Sequence, residues 1–222
     1  MAASEDEASS EHETGHSQTC AFRVKTDRYD VLQEGDDSSD NGCPDALATK
    51  EDGECMIRCH RETQPDAAFC VFHQLPVGVK DIPEVYQDCS VDPEPRPEHL
   101  SDEDVADLFR RAIRDELHED DVVPCDVVDN GFTRDEYSRH RNQFVGAQFG
   151  DIRLTYDTLA PEDNYPIDMR CCTAGELDWE EATIGNELRL DAAHLKKDIN
   201  FGSASFEGRL SLNSATVGGH VA

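Results

Sequence analysis

The sequence is poor in lysine and contains no long apolar run. Only five of its 20 basic residues are lysines, whereas 49 residues are acidic, and the formal net charge is −29 at pH 7. No stretch reaches the roughly 18 apolar residues that identify a transmembrane helix. The N-terminal residues are polar and acidic, unlike a secretory signal peptide, so we expect a cytoplasmic protein without a membrane span.

The excess of acid over base also narrows the choice of partners. With 28 aspartates and few lysines, the composition is typical of proteins that stay soluble in multimolar salt. At about 1 M salt the Debye length falls to about 3 Å, so repulsion between acidic groups is screened. We therefore expect a halophilic source and, because no basic patch is present, no binding to nucleic acid.

Sequence motifs of common enzymes are missing as well. The chain has no His-Glu-x-x-His zinc-protease motif, no deaminase-type zinc motif and no nucleophile elbow. It also lacks a glycine-rich phosphate loop and a dinucleotide-binding fingerprint. We predict that the protein is not an enzyme.

What the sequence does contain is an 11-residue unit repeated four times at its C-terminal end. The blocks begin at Trp179, Leu190, Phe201 and Leu212. Positions one, six and ten of each block are apolar, and position four is always alanine: Ala182, Ala193, Ala204 and Ala215. The steps between positions one and six, and from position six to the next position one, alternate between five and six residues. Neither a helix nor a strand produces this spacing. A solenoid that turns a corner every five or six residues does.

Similar five-residue steps begin at Phe144, so we predict a solenoid over residues 144–222. In a four-sided coil, the main apolar residue points inward and stacks on its copy one coil away. Alanine fits the crowded inward corner, so Ala204 should be buried, whereas Ser205 should face solvent. Each stacked apolar side chain contributes about 1.5–3 kcal/mol on burial.

The preceding chain differs in composition and is divided by prolines and by helical periodicity. We expect four segments before the solenoid: a disordered acidic tail (1–19), a Cys/His-rich zinc module (20–76), an extended Pro-rich linker (77–100) and a helical segment that caps the solenoid (101–143). Ser101 is a good helix N-cap, and the apolar face that follows runs to about His118. A second, short helix is expected near Arg134 to Asn142.

The cysteines and histidines of residues 20–76 predict a metal site. Cys70 and His73 are spaced as a tight knuckle, and Cys59 lies upstream of them. Tetrahedral zinc requires four sulfur or imidazole ligands, and the energy of binding it would let an acidic, core-poor segment fold. The spacing leaves the fourth ligand open among three cysteines: Cys20, Cys43 and Cys55. The alternative is that these cysteines are reduced thiols packed as small apolar side chains; a disulfide framework is not expected in a cytoplasmic protein.

Three stretches resemble the pentapeptide-repeat family, and more narrowly its haloarchaeal members with an N-terminal Cys/His segment. They are Cys70-Val-Phe-His-Gln-Leu-Pro76, Phe144-Val-Gly-Ala-Gln-Phe-Gly-Asp-Ile-Arg-Leu154 and Tyr165-Pro-Ile-Asp-Met-Arg-Cys-Cys172. The resemblance implies a mainly β protein with a right-handed four-sided β-helix, and no known activity for most members. It also favours Cys20 as the fourth ligand, since family members look to have one cysteine far upstream. The 11-residue unit departs from the family's usual ten-residue double unit.

The function expected from these features is that of a non-enzymatic scaffold or protein-interaction module with structural zinc and an unknown protein partner. One alternative is a DNA mimic that regulates a DNA-binding enzyme, as some family members do. Residues 179–222 hold six acids against four bases, which argues against that alternative. Another alternative is a soluble remnant of a membrane-anchored relative. We also expect a homodimer through residues 201–222, whose final coil should expose apolar residues: Leu212, Val217 and Val221.

Overall fold

The computed structural model describes residues 18–33, 43–45, 47–114, 116, 127–128, 131–159 and 165–222. Within these residues the fold is mostly short β-strands, with two α-helices. The predicted acidic tail lies outside the described residues except for Gln18 and Thr19. Both residues contact the Cys/His module. Thr19 forms an antiparallel bridge with Glu62, and the carbonyl of Gln18 accepts from the N–H of Thr63 at 2.9 Å.

The Cys/His module contains a small antiparallel sheet. Its strands are β1 (Arg23–Lys25), β2 (Ala48–Glu51) and β3 (Glu54–Arg58), and β3 lies in the centre. Strands β2 and β3 form a hairpin whose turn residues, Asp52 and Gly53, both have positive φ. An Asp-Gly pair is favoured there because a tight hairpin turn requires left-handed backbone at both positions.

Several side chains of residues 77–100 are buried against the rest of the protein, among them Val85, Tyr86 and Arg96, so the prediction of an extended linker is wrong. A short 3-10 turn covers Glu84–Tyr86. The buried Tyr86 hydroxyl donates to the carbonyl oxygen of His73 at 2.9 Å and lies 3.2 Å from that of Gly146. The prolines shape turns that return the chain to the core, because proline fixes φ without preventing the neighbouring side chains from packing.

The two helices are α1 (Asp102–Ile113) and α2 (Arg134–Arg141). Helix α1 begins with a capping box in which the hydroxyl of Ser101 accepts from the backbone N–H of Asp104, so the predicted N-cap is confirmed. In the described part of the chain, neither helix has the length and apolar character needed to cross a lipid bilayer.

Helix α1 ends earlier than the periodicity predicted. Its last helical residue is Ile113 rather than a residue near His118. The next residue, Arg114, donates from Nη2 to the carbonyl oxygen of Thr158 at 2.7 Å and lies 3.0 Å from a carboxylate oxygen of Asp157. These contacts join Arg114 to residues 144–222, which we call the repeat region, whereas Leu117 and His118 lie outside the described residues.

The C-terminal part of the chain forms four three-stranded parallel sheets. The strands are, sheet by sheet, β4 (Ile152–Arg153), β8 (Leu177–Asp178) and β12 (Ile199–Asn200); β5 (Thr158–Leu159), β9 (Thr183–Ile184) and β13 (Ser205–Phe206); β6 (Ile167–Asp168), β10 (Leu188–Arg189) and β14 (Leu210–Ser211); and β7 (Thr173–Ala174), β11 (His194–Leu195) and β15 (Thr216–Val217). The chain visits the four sheets in rotation, and each of the strands β4 to β11 pairs with the fourth strand after it. Leu188 pairs with Leu210, so one full coil takes two 11-residue blocks. These stacked parallel strands are compatible with a β-helix.

Each 11-residue block makes the same turn. Position three has left-handed backbone in every block: Glu181 (φ 57°), Ala192 (φ 54°), Ser203 (φ 59°) and Ser214 (φ 58°). The alanine at position four then donates its N–H to the carbonyl of position one, as between Ala182 and Trp179 at 3.1 Å. This combination is a type II turn, which requires positive φ at its third residue.

The predicted inward positions are buried in the first two blocks. Trp179, Ala182 and Ala193 are almost fully enclosed, and Trp179 contacts Phe201 one coil away with ring centroids 5.9 Å apart. Burial decreases towards the last coil: Ala204 is half-buried, and Val221 is 60% exposed. Ser205 is exposed, as predicted.

The opposite edge of the repeat region is covered. The aromatic ring of Phe109 on α1 lies 4.7 Å from that of Phe144, 5.4 Å from Phe149 and 6.2 Å from Trp179. Buried residues of the Cys/His module, of α1 and of the coils form one continuous hydrophobic core. We call residues 144–159, which lie beneath this cover, the first coil.

Candidate metal centre

The four sequence-predicted ligands, Cys20, Cys59, Cys70 and His73, lie together in the Cys/His module. Their side chains are buried, and the sulfur and imidazole nitrogen atoms all lie within 4.8 Å of one another. We call these four residues the thiol–imidazole cluster.

Local backbone pairing positions each member of the cluster. Cys20 precedes β1 and Cys59 follows β3, and the two residues lie on paired extended segments: the N–H of Cys59 donates to the carbonyl of Phe22 at 3.1 Å. Cys70 and His73 lie at either end of a tight turn, in which the N–H of His73 donates to the carbonyl of Cys70 at 2.8 Å. The N–H of Cys70 in turn points at the sulfur of Cys20 at 3.3 Å.

The spacing of the ligand atoms fits a tetrahedral metal ion. With Zn–S of about 2.3 Å and Zn–N of about 2.0–2.1 Å, tetrahedral zinc holds sulfur pairs about 3.8 Å apart and sulfur–nitrogen pairs about 3.6 Å apart. The Sγ atoms of Cys59 and Cys70 are 3.8 Å apart, and the Sγ of Cys20 is 3.6 Å from the Nδ1 of His73. The Sγ of Cys70 is slightly closer to that nitrogen, at 3.3 Å.

The imidazole of His73 is oriented for ligation through Nδ1. Its other nitrogen, Nε2, lies 3.0 Å from the carbonyl oxygen of Val145, and a carbonyl can only accept, so Nε2 carries a proton. Phe22 stacks on the ring, with centroids 4.1 Å apart and planes inclined by 14°. A metal-bound histidine commonly donates its second N–H to a carbonyl in this way. Because Val145 belongs to the first coil, this contact joins the cluster to the repeat region.

The electrostatics of the cluster favour a cation at its centre. Burial, together with hydrogen bonds to Cys59 and Cys70, raises the pKa of the Cys20 thiol well above its ordinary value. Burial opposes the charged forms of His73 and Cys70. The neighbouring sulfurs of Cys59 and Cys70 nevertheless raise the pKa of His73 to about 10. The surrounding thiols and His73 hold the pKa of Cys70 well below its ordinary value. A divalent ion would replace these shared protons and compensate the thiolate charge.

The other two candidates for the fourth ligand are excluded. Cys43 and Cys55 are joined by a disulfide, with their Cα atoms 5.6 Å apart. The expectation that the cysteines are only ligands or buried thiols is therefore wrong for this pair. Cys55 lies on β3 and Cys43 shortly before β2, so the hairpin brings them together, and the spacing in the sequence does not reveal it.

The adjacent cysteines Cys171 and Cys172 lie apart from the cluster, in the repeat region. Cys172 is fully buried and belongs to the hydrophobic core. Burial raises the pKa of Cys171 to about 12 and that of Cys172 further, so neither is disposed to form a thiolate.

No protein-family model, no curated protein and no solved structure matches this chain. The resemblance to pentapeptide-repeat proteins therefore stays a prediction, and the interpretation of the site depends on its geometry.

A buried ion cluster, which sequence reasoning missed, also joins the two regions. The guanidinium of Arg170, in the repeat region, lies 2.7 Å from Asp45 of the Cys/His module and 2.6 Å from Asp168. It also donates to the carbonyl of Val31 at 3.0 Å. The two carboxylates raise the pKa of Arg170 despite its burial. No local pattern in the sequence relates Asp45 to Arg170.

Two clefts of about 690 Å³ each lie away from the thiol–imidazole cluster. One cleft of 690 Å³ runs between residues 78–85 and a sheet of the repeat region. It carries Lys80 and Lys196 against Asp81 and Glu84, so its charges balance and select no class of ligand. A much smaller cleft, of 360 Å³, borders the cluster itself.

Proposed function

We propose that this protein is a non-enzymatic scaffold or protein-interaction module. In this proposal a structural zinc ion, bound by Cys20, Cys59, Cys70 and His73, fixes the Cys/His module onto a right-handed four-sided β-helix of the pentapeptide-repeat type. The observation that carries the proposal is the position of His73, whose Nδ1 faces the three thiols while its Nε2 lies 3.0 Å from the carbonyl of Val145 in the first coil.

The donor set supports zinc and a structural role. Three thiolates and one imidazole form a soft set suited to tetrahedral zinc. Structural zinc sites have four protein ligands, whereas a catalytic site keeps one position for water or substrate. All four donors here come from the protein and are buried, which supports a closed site.

The repeat region supports a scaffold role. Its coils hold one another through backbone pairing between successive strands, so the outward side chains are free to differ without loss of the fold. Repeat proteins of this kind use such walls as extended binding surfaces. We therefore propose that the outer faces of the four sheets bind a protein partner.

The test of the zinc proposal is elemental analysis of protein purified without added metal. We expect one zinc ion per chain in the wild type and a large loss of zinc in the variant Cys70→Ser. The variant Cys89→Ser is the matched control, because Cys89 is a half-buried thiol of the neighbouring segment 77–100 and lies outside the cluster. Wild-type protein without zinc would refute the proposal.

We further propose that the coil formed by residues 201–222 binds a second copy of the chain. The support is its incomplete burial: Leu212 and Val217 are only partly buried, and Val221 is exposed. Light scattering in molar KCl should then give a dimer for the wild type and a monomer for Val217→Asp. A wild type that is monomeric at all concentrations would contradict this interface.

A further inference from the structure

A cleft borders one side of the thiol–imidazole cluster. This 360 Å³ cleft is lined by Cys20 and Cys59, together with Arg58, His60 and Ser90 among others. The other two members of the cluster do not line it: Cys70 is fully buried, and His73 faces the first coil. A small polar molecule that enters the cleft therefore meets Cys20 and Cys59 before it meets Cys70.

The cleft also carries hydrogen-bond donors in an otherwise acidic protein. Arg23 and Arg58 both line it, beside His60. Arg58 pairs with Glu51 through Nη2, and the Nε of Arg23 donates to the carbonyl oxygen of Asp88 at 2.6 Å. The Nε–H of Arg58 is buried and has no hydrogen-bond partner among the described residues. Cationic donors beside a thiolate favour attack on an oxidant, because they stabilise the negative charge that develops on the departing oxygen.

We propose that the metal site is a peroxide-sensitive clamp in which hydrogen peroxide enters through this cleft, converts Cys59 and Cys70 to a disulfide, and releases the zinc ion. This inference rests on the zinc site of the proposed function. We choose Cys70 as the disulfide partner of Cys59 because the Sγ atoms of these two residues are 3.8 Å apart.

The oxidation balances as two displacements. The thiolate sulfur of Cys59 attacks one peroxide oxygen, so that an S–O bond forms, the O–O bond breaks and hydroxide departs. The thiolate of Cys70 then attacks the sulfenic sulfur of Cys59; the S–S bond forms, the S–O bond breaks and a second hydroxide departs. The two sulfurs have lost two electrons to the peroxide, and solvent protons convert both hydroxides to water.

Loss of zinc would loosen the contact between the module and the repeat region. Only Cys20 and His73 would remain as ligands, which is too few to hold the ion tetrahedrally. His73 would then lose the metal bond that fixes its ring against the carbonyl of Val145. The oxidised protein should therefore expose the first coil, where the Cys/His module covers it.

The experiment uses the full chain as purified, with its zinc content measured first. Hydrogen peroxide is added, free zinc is followed with a chromogenic chelator, and the disulfides are mapped by mass spectrometry. We expect release of one zinc per chain and a new disulfide between Cys59 and Cys70. Filling the cleft with Ser90→Phe should slow release by about tenfold, since oxidation follows access to the thiolate. The exposed control Ser205→Phe should leave the rate unchanged.

The outcomes separate this inference from the zinc proposal. Absence of zinc before peroxide is added refutes the zinc proposal. The proposal of peroxide-driven zinc release is overturned if zinc stays bound under peroxide, or if the new disulfide involves Cys89 instead of the predicted pair. Either result leaves the zinc proposal intact. Cys89→Ser should release zinc at the wild-type rate, and a melt of Ser90→Phe confirms that this variant is folded. A folded Ser90→Phe that releases zinc as fast as the wild type also overturns the clamp.

Discussion

The Cys/His module and the repeat region are stabilised in opposite ways. In the module, each important contact occurs once: the thiol–imidazole cluster, one disulfide and the buried ion cluster of Arg170. In the repeat region, the same turn and the same buried positions recur in successive coils. The stability of the module therefore depends on a few groups, whereas that of the coils is shared among many equivalent ones.

The two regions meet at the first coil, where their contacts are dense. Phe72 of the module packs edge-on against Phe144, with ring centroids 5.1 Å apart, and the guanidinium of Arg61 lies over both rings. The N–H of Gln148 donates to the carbonyl of Phe72 at 2.6 Å. A perturbation of the module should thus reach the first coil and, through the contact between Asp45 and Arg170, the start of the next coil, but not residues 188–200.

Removal of zinc should have the largest effect. Structural zinc supplies about 10–16 kcal/mol in small peptides at pH 7, so a strong chelator should unfold the module before the coils melt. Circular dichroism in molar KCl should then show two transitions in place of one. The variant Cys70→Ser serves as the control, because chelator should shift its melt no further. An unchanged wild-type melt would mean that the module does not depend on a metal.

Loss of the buried arginine should come next. Arg170→Met leaves Asp45 and Asp168 buried without their cation, and breaking a buried ion pair costs about 3–5 kcal/mol. Arg153→Met is the matched control, since its ion pair with Glu176 is on the surface and is worth about 0–1 kcal/mol. Denaturant unfolding measures both variants. Equal losses for the two would show that the ion cluster contributes no more than a surface pair.

The same contrast explains which features could be predicted from the sequence. The repeat is recognisable because each environment recurs, so the inward role of Ala182 is visible from its copies. Cys59, Cys70 and His73 were found because zinc ligands keep short spacings, whereas Cys20 was favoured only by the family resemblance. The disulfide and the Asp45–Arg170 contact were missed, because single long-range contacts leave no periodic trace.

The region around residues 77–100 was misread for a related reason. Proline-rich composition predicts an extended chain, but it does not report whether one or two side chains are buried. Tyr86 anchors this segment through hydrogen bonds to the backbone of the module and of the first coil. Such an anchor depends on tertiary neighbours and is invisible in the local pattern.

Overpacking the inward corner should produce an intermediate effect that decreases along the repeat region. Ala193→Leu forces a large side chain into a closed corner and should cost about 1–3 kcal/mol. Ala204→Leu should cost less, because Ala204 is only half-buried. Ser205→Leu, on the exposed face, should be close to neutral. Thermal melts in matched salt rank the three, and equal midpoints would show that the register of the coils is wrong.

The smallest effect concerns the recurring left-handed turn. Ser203 has φ of 59°, which glycine adopts without the steric cost that an L side chain incurs. Ser203→Gly should therefore raise the free energy of unfolding by about 0.5–1 kcal/mol. Ser205→Gly, in strand β13, should lower it by about 0.5–1 kcal/mol. A loss of stability in both variants would contradict the turn geometry.

Hydrogen exchange with and without zinc tests most directly whether the metal cluster and the first coil form one unit. The amides of Phe144 and Gly146 donate to the carbonyls of Asp168 and Arg170 beneath the module. Removal of zinc should accelerate exchange in the module and in residues 144–149, and leave residues 188–200 unchanged. Faster exchange confined to the module, with the first coil still protected, would contradict the account.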